Sequence, residues 1–506
     1  MTEVPIHGVG EAELRGAEPF DKPLQQVDVR VGLTSPSGRR RTIDAFWDGE
    51  RVWRFRFSPD EVGTWTWHSA CEQDAALAGQ GRIQCVADER AGHGPLRLSD
   101  DRRHFVHADG TPWFFLADTA WNGALKARSE DWRAYLALRA RQGFTAIQFV
   151  CTHWRAYNGE LAYEGEVEVQ PRPAFFQRMD EAVRAIAEAG LRPTPVPLWS
   201  HMAGDPGVEL AEVDATRLIR YMIARWQAYD CIWLLAGDLR PGEGVGERWR
   251  GIGRAAMEGC DALATIHPCG QTSLNEQFDR EPWYSFRSYQ TGHGDSVEHL
   301  RWAVTGPPAT QWRDEPVLPS VNLEPNYEMH RAYHSRGEHG AYEVRRAMWW
   351  SLLVAPPAGV TYGNNGIWPW LDEAGPAPGH GDLPARAWRD GLEPEGVASV
   401  SVMRRLVDGL PWTRLRPAQE VVARDDNVEV ERFIATAATP GTETVVRYVP
   451  VGGEIPLRAQ RLPGAMAATW FDPRDGARQE AGAVDETNAT LTTPDERDWV
   501  LVLETR

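Results

Sequence analysis

A change of hydrophobic period along the chain constrains the fold most. Between about residues 96 and 410, short apolar runs recur with room for one amphipathic helix between each. Strands joined through helices lie parallel, because each crossover returns the chain to the same end of the sheet. The runs fall at 113–117, 146–150, 195–199, 231–235, 263–267, 284–289, 317–322 and 358–362, Pro319 weakening the seventh. Eight such units predict an α/β chain folded as a (β/α)8 TIM barrel. Helix ends support the reading. Ser129 offers an N-cap before Glu130 and Asp131, Gly143 a stop; Phe176, Met179, Val183 and Ile186 form one stripe that ends at Gly190.

On both sides the period drops to two. Val27, Val29, Val31 and Leu33 alternate with polar residues, Asp48-Gly49 signals a hairpin, and Trp53, Phe55 and Phe57 alternate with Arg54 and Arg56. Residues 1–92 therefore predict an N-terminal β-sandwich, with 88–95 as its linker, and 93–411 the barrel. Short strands at 429–436, 443–449, 467–471 and 499–503 predict a second sandwich over 412–506.

Composition excludes more than it selects. A net charge of −18 gives no cationic face for nucleic acid or an anionic membrane, and no run approaches a membrane span. The six cysteines show no CxxC spacing, and residues 1–14 lack a basic, then apolar, leader, so a reducing cytoplasmic setting is expected. Gly242 to Gly246 lacks Rossmann context, so no nucleotide fingerprint is present. The 23 tryptophans suit either large cores or sugar stacking. A homo-oligomer is compatible with all of this.

In a barrel, reactive groups gather at the C-terminal ends of the strands. There the chain places Asp118 and Trp121, then Gln148 with His153 and Trp154, then Trp199 and His201, then Asp238, His267, Gln290 and His293, Glu324, and Asn364. Asp238 and Glu324 close strands four and seven, on opposite sides of the mouth, where two carboxylates can converge as glycosidic cleavage requires. Asp118 alone is equally a helix cap. His153, His201, His267 and His293 could instead bind a metal for hydrolysis, but none forms an HxH or HExxH spacing, so no metal or other cofactor is expected.

RHFVHADGTPWFFLADTAW (103–121), WLLAGDLRP (233–241), YQTGHG (289–294), VNLEPNYE (321–328) and GVTYGNNGIWPW (359–370) resemble blocks of the apiosidase-like glycoside hydrolases, the DUF4038 group. The flanks are similar to the DUF5060 domain and to a collagen-binding-type β-domain. The resemblance implies retaining hydrolysis with Asp238 as acid/base and Glu324 as nucleophile. It also implies a sugar pocket lined by Asp118, Trp121, Gln290, His293 and Asn364, to which Gln148, His153, His201 and Tyr327 are added as candidates. This chain reads Ala236-Gly237-Asp238 where many relatives have Gly-Gly-Asp.

On this reading Glu324 attacks the anomeric carbon while Asp238, kept protonated by burial and by the charge of Glu324, protonates the leaving oxygen. Trp121, Trp154, Trp199 and Trp368 are candidate stacking platforms. The expected substrate is a glycoside or oligosaccharide ending in a pentofuranose such as apiose or arabinofuranose, with loops 153–170 and 270–283 closing an exo pocket. A metal-dependent hydrolase on the same barrel and a non-catalytic carbohydrate-binding protein are the rival readings.

Overall fold

A computed structural model describes residues 2–89, 92–154, 160–421 and 429–505. Residues 90–91 of the expected linker and 155–159 of the expected pocket loop lie outside the described residues.

The centre is a parallel sheet of six strands, in the order Arg192–Val196, Ala146–Val150, Phe115–Thr119, Gly359–Tyr362, Ser320–Asn322 and Arg287–Tyr289. Further parallel pairings continue past its edges. Ile232 donates its N–H to the Pro193 carbonyl, Trp233–Leu234 pairs with Ala264–Thr265, and Ser285 donates to the Ala264 carbonyl. Leu198–Trp199 pairs with Ala236–Gly237 in the same sense. The strand residues are buried on both faces, so these runs read as continuously apolar, not alternating.

Helices cover the sheet where the apolar stripes foretold. Ser129–Arg141 carries Glu130 and Asp131 in its first turn, although Arg128, not Ser129, is the capping residue. Pro173–Glu188 buries Phe176, Met179, Val183 and Ile186, and the chain leaves it through Gly190 at φ +79°. Among the described residues no helix is long and apolar enough to cross a membrane, and all six cysteines are free thiols.

Residues 2–86 form a five-stranded and a three-stranded sheet whose side chains share one core, with Val31, Leu33, Trp65 and Ile83 from one and Leu14, Phe55 and Phe57 from the other. The expected hairpin is present, but Asp48 and Gly49 end its first strand and Glu50, at φ +47°, makes the turn. A six-stranded antiparallel sheet closes the chain, running from Arg416–Pro417 to Arg478–Val484 in spatial order. Helix Ala341–Val354 meets it through Arg345, whose guanidinium donates to both Asp498 oxygens at 2.9 Å, and Trp350, whose indole donates to the Phe433 carbonyl.

Arg56 of the N-terminal sheet reaches into the helical layer. There Asp180 accepts from Arg56 at 2.9 Å, from Arg225 at 2.6 Å and from the Trp226 indole at 2.7 Å. Burial alone would raise the Asp180 pKa, but the two guanidiniums outweigh it and lower it. Asp180→Leu removes the carboxylate shared by two buried cations, leaving Arg56 with Glu11 alone and Arg225 with Asp48 alone. It is expected to cost about 3–5 kcal/mol, read as a lower urea midpoint at unchanged m-value.

Candidate active site

Main-chain hydrogen bonds at the strand ends draw three side chains together. The Leu239 N–H donates to the His267 carbonyl and the His267 N–H to the Ala236 carbonyl, which ties Asp238 to His267. The Leu323 N–H donates to the Tyr289 carbonyl and the Gly292 N–H to the Glu324 carbonyl, which ties Glu324 to the segment carrying Gln290 and His293. The Gln148 amide donates to the Leu323 carbonyl from across the sheet. Asp238 adopts φ +48°, a left-handed conformation that Asp tolerates better than most residues. Before it, Gly237 lies under the Trp199 ring; a Cβ there would come within 2.2 Å of Cε3, so glycine is required.

One ligand-capable atom each of Asp238, His267 and Glu324 lies within 4.8 Å of the others. The Glu324 Oε1 accepts from Gln290 Nε2 at 2.8 Å and from His293 Nε2 at 3.0 Å, while Oε2 faces His267 Nε2 at 3.6 Å. Because His293 Nδ1 accepts the Tyr327 backbone N–H, its ring proton sits on Nε2 and points at the carboxylate. On the other side Asp238 Oδ1 faces His267 Nδ1 at 3.8 Å and Oδ2 faces His201 Nδ1 at 3.7 Å. Two buried amide oxygens at this centre, Gln148 Oε1 and Gln290 Oε1, have no hydrogen-bond partner in the protein. Such a cluster marks a place where a hydroxylated ligand or water completes the hydrogen bonding.

Burial lowers the pKa of His267 despite the opposing charge of Glu324. Burial, then the neighbouring His339 and His380, puts His293 well below 6.5; burial, then His293, does the same to His330, whose ring centroid is 4.0 Å from that of His293. These rings are neutral when folded, whereas the unfolded chain protonates them below about pH 6.5. Stability is therefore expected to fall as pH drops through that value, by up to about 1.4 kcal/mol per pH unit for each ring. The thermal midpoint should fall between about pH 7 and 5, with a shallower slope in His330→Phe; equal slopes would contradict this.

The other expected site residues divide by environment. Trp121, Trp154, Trp199 and Trp368 form a continuous aromatic wall. Trp199 lies 5.3 Å from Trp121 and 4.8 Å from Trp154, and Trp154 6.0 Å from Trp368, by ring centroids. His380 closes its far end at 4.7 Å from Trp368; it sits in a Gly/Pro loop with no strand-end signal. Tyr327 packs against His293, and burial, then the charge of Glu324, pushes its phenol well above its usual range. Arg240 donates to His201 Nε2 at 2.9 Å, behind Asp238.

Gln290 and His293, expected on the sugar, each donate to the Glu324 carboxylate, and Gln290 Oε1 is left unpartnered. Asp118 lies inside its strand, fully buried, bonded to Arg139 and, at 2.7 Å, to the Tyr135 hydroxyl, so its charge is already matched by Arg139. Asn364 folds its own loop, accepting from the Gly366 and Ile367 N–H groups and donating to the Gly391 carbonyl. His153 packs on Tyr163 at 4.9 Å. His267, which the strand-end reading gave as a metal candidate or a hydrogen-bonding partner of sugar hydroxyls, stands at the centre.

Comparisons with known proteins agree with this architecture. Residues 3–72 match the DUF5060 model, a domain of unknown function, and residues 416–504 one described as "putative collagen-binding domain of a collagenase". None of the curated proteins matches the chain by sequence. Among solved structures, one titled a glycoside hydrolase is 22% identical, with 81% of this chain and 97% of that chain covered and a TM-score of 0.68. A glycoside hydrolase family 5 protein from Bacteroides vulgatus ATCC 8482 is 21% identical over 81% and 94% of the two chains, with a TM-score of 0.70. These likenesses concern the fold. The model described as "Apiosidase-like, catalytic domain" matches residues 99–414, more than half of the chain, so the protein belongs to the apiosidase-like family and is a glycoside hydrolase.

Proposed function

We propose that the protein is a retaining glycosidase with Glu324 as nucleophile and Asp238 as acid/base. The observation that carries the proposal is the approach of the two carboxylates, one oxygen of each within 4.8 Å of the other. Retention needs a separation of roughly 5–5.5 Å, whereas inversion leaves roughly 6.5–9.5 Å for a water between them. In the first step Glu324 Oε2, on the side facing His267, attacks the anomeric carbon as Asp238 protonates the departing oxygen. In the second, Asp238 takes a proton from water, which displaces the sugar from Glu324. The pairings from residue 115 round to residue 322 support a complete (β/α)8 barrel over 93–411, flanked by β-sandwiches over 1–92 and 412–506.

The family points to a terminal pentofuranose, apiose or arabinofuranose, as the sugar released. Purified wild-type protein and Glu324→Gln are to be screened against chromogenic furanosides and pyranosides. Release by wild type alone is expected. Release by both, or furanosides untouched while a pyranoside is cleaved, would overturn the nucleophile or the sugar, respectively.

A metal-dependent hydrolase is the second reading, favoured by the three ligand-capable atoms at Asp238, His267 and Glu324. The imidazole, however, turns a different nitrogen to each carboxylate, so no single ring atom faces both. Activity retained after chelation, with no stoichiometric metal by elemental analysis, is the expected result.

A further inference from the structure

His267 stands between the two carboxylates with Nδ1 toward Asp238 at 3.8 Å and Nε2 toward Glu324 at 3.6 Å. Its ring is fully buried against Trp121 and Trp199, with centroids 5.3 and 6.2 Å away, and neither nitrogen hydrogen-bonds to another side chain. A buried imidazole without side-chain partners is costly unless it serves the groups it faces. Burial also disfavours the imidazolium, so the ring carries one proton and can donate to one carboxylate only.

The surroundings decide which one. Glu324 collects N–H donors from Gln290 and His293, with Tyr327 packed against His293, an environment built for a charged carboxylate. Behind Asp238 stand His201 and Arg240, bonded to each other, and Cys269, whose thiol is raised by burial first and by the Asp238 charge among lesser causes. A ring proton on Nε2 extends the row of donors facing Glu324. The Nδ1 lone pair then faces Asp238, where it favours a carboxyl and repels a carboxylate. This division, an ionised nucleophile beside a protonated acid, is what the first step requires.

We propose that His267 is a positioning residue, held as the neutral Nε2–H tautomer, which supports the charge on Glu324 and keeps the proton on Asp238. The functional consequence rests on the retaining-glycosidase reading; the tautomer does not.

The test begins with the full chain labelled with 15N-histidine. Long-range proton–nitrogen correlation spectra identify His267 by its loss in His267→Gln. The expected result is a protonated Nε2 and a bare Nδ1, unchanged from about pH 6 to 8. An Nδ1–H tautomer, or an imidazolium appearing in that range, overturns the proposal whether or not any glycoside is cleaved. Kinetics on the donor that wild type hydrolyses test the consequence. His267→Leu should lower kcat/KM about a hundredfold and narrow its pH bell from both sides. His267→Gln, which restores a donor near the Nε2 position but no lone pair toward Asp238, should recover the acid limb alone. A fall in rate with an unshifted bell in both variants would show a structural role and overturn the consequence.

Discussion

Glu324→Gln is expected to lower kcat/KM by about 10⁴-fold or more, equivalent to about 5.5 kcal/mol of barrier. The amide keeps an acceptor oxygen for Gln290 and His293, which both donate to Glu324 Oε1. Packing is therefore preserved and the urea midpoint should stay near that of wild type. The rate falls because a neutral amide oxygen cannot form the glycosyl ester on which the two-step route depends. Activity within tenfold of wild type would remove Glu324 from the chemistry.

Asp238→Ala is expected to show the second-largest loss, and its size should depend on the leaving group. Acid catalysis supplies about 10²–10⁴-fold when the departing oxygen is basic, and little when it leaves readily as a nitrophenolate. An alkyl glycoside should thus lose most of its turnover while a nitrophenyl glycoside accumulates the glycosyl-enzyme, which added azide would release as a glycosyl azide. Asp238 is partly exposed and held in a left-handed backbone conformation, so its removal leaves no cavity in the core. Equal losses for both leaving groups, with no azide product, would contradict its role.

Much of this was legible because a parallel sheet converts strand order into position. Knowing that Asp238 and Glu324 follow the fourth and seventh apolar runs was enough to expect them to face each other, and their oxygens approach within 4.8 Å. What strand order does not encode is side-chain direction. Gln290 and His293 were placed in the sugar pocket by the family resemblance, which says nothing of the hydrogen bonds both make to Glu324. Asp118 reads as a strand-end acid, but the strand runs one residue beyond it and its partner Arg139 lies on the helix Ser129–Arg141, a pairing no local pattern announces. His267 was visible as a strand-end histidine, but its place between two carboxylates depends on distances set by three different strands. His380 had no signal, since only the folded loop carries it to Trp368.

The central claim is that two carboxylates within 4.8 Å of each other perform a double displacement. The most direct measurement is the anomeric configuration of the first sugar released, followed by proton NMR from the first minutes of hydrolysis, before mutarotation. The account predicts that the product appears with the configuration of the substrate. First appearance of the opposite anomer would contradict it, because a single displacement by water leaves no covalent role for Glu324.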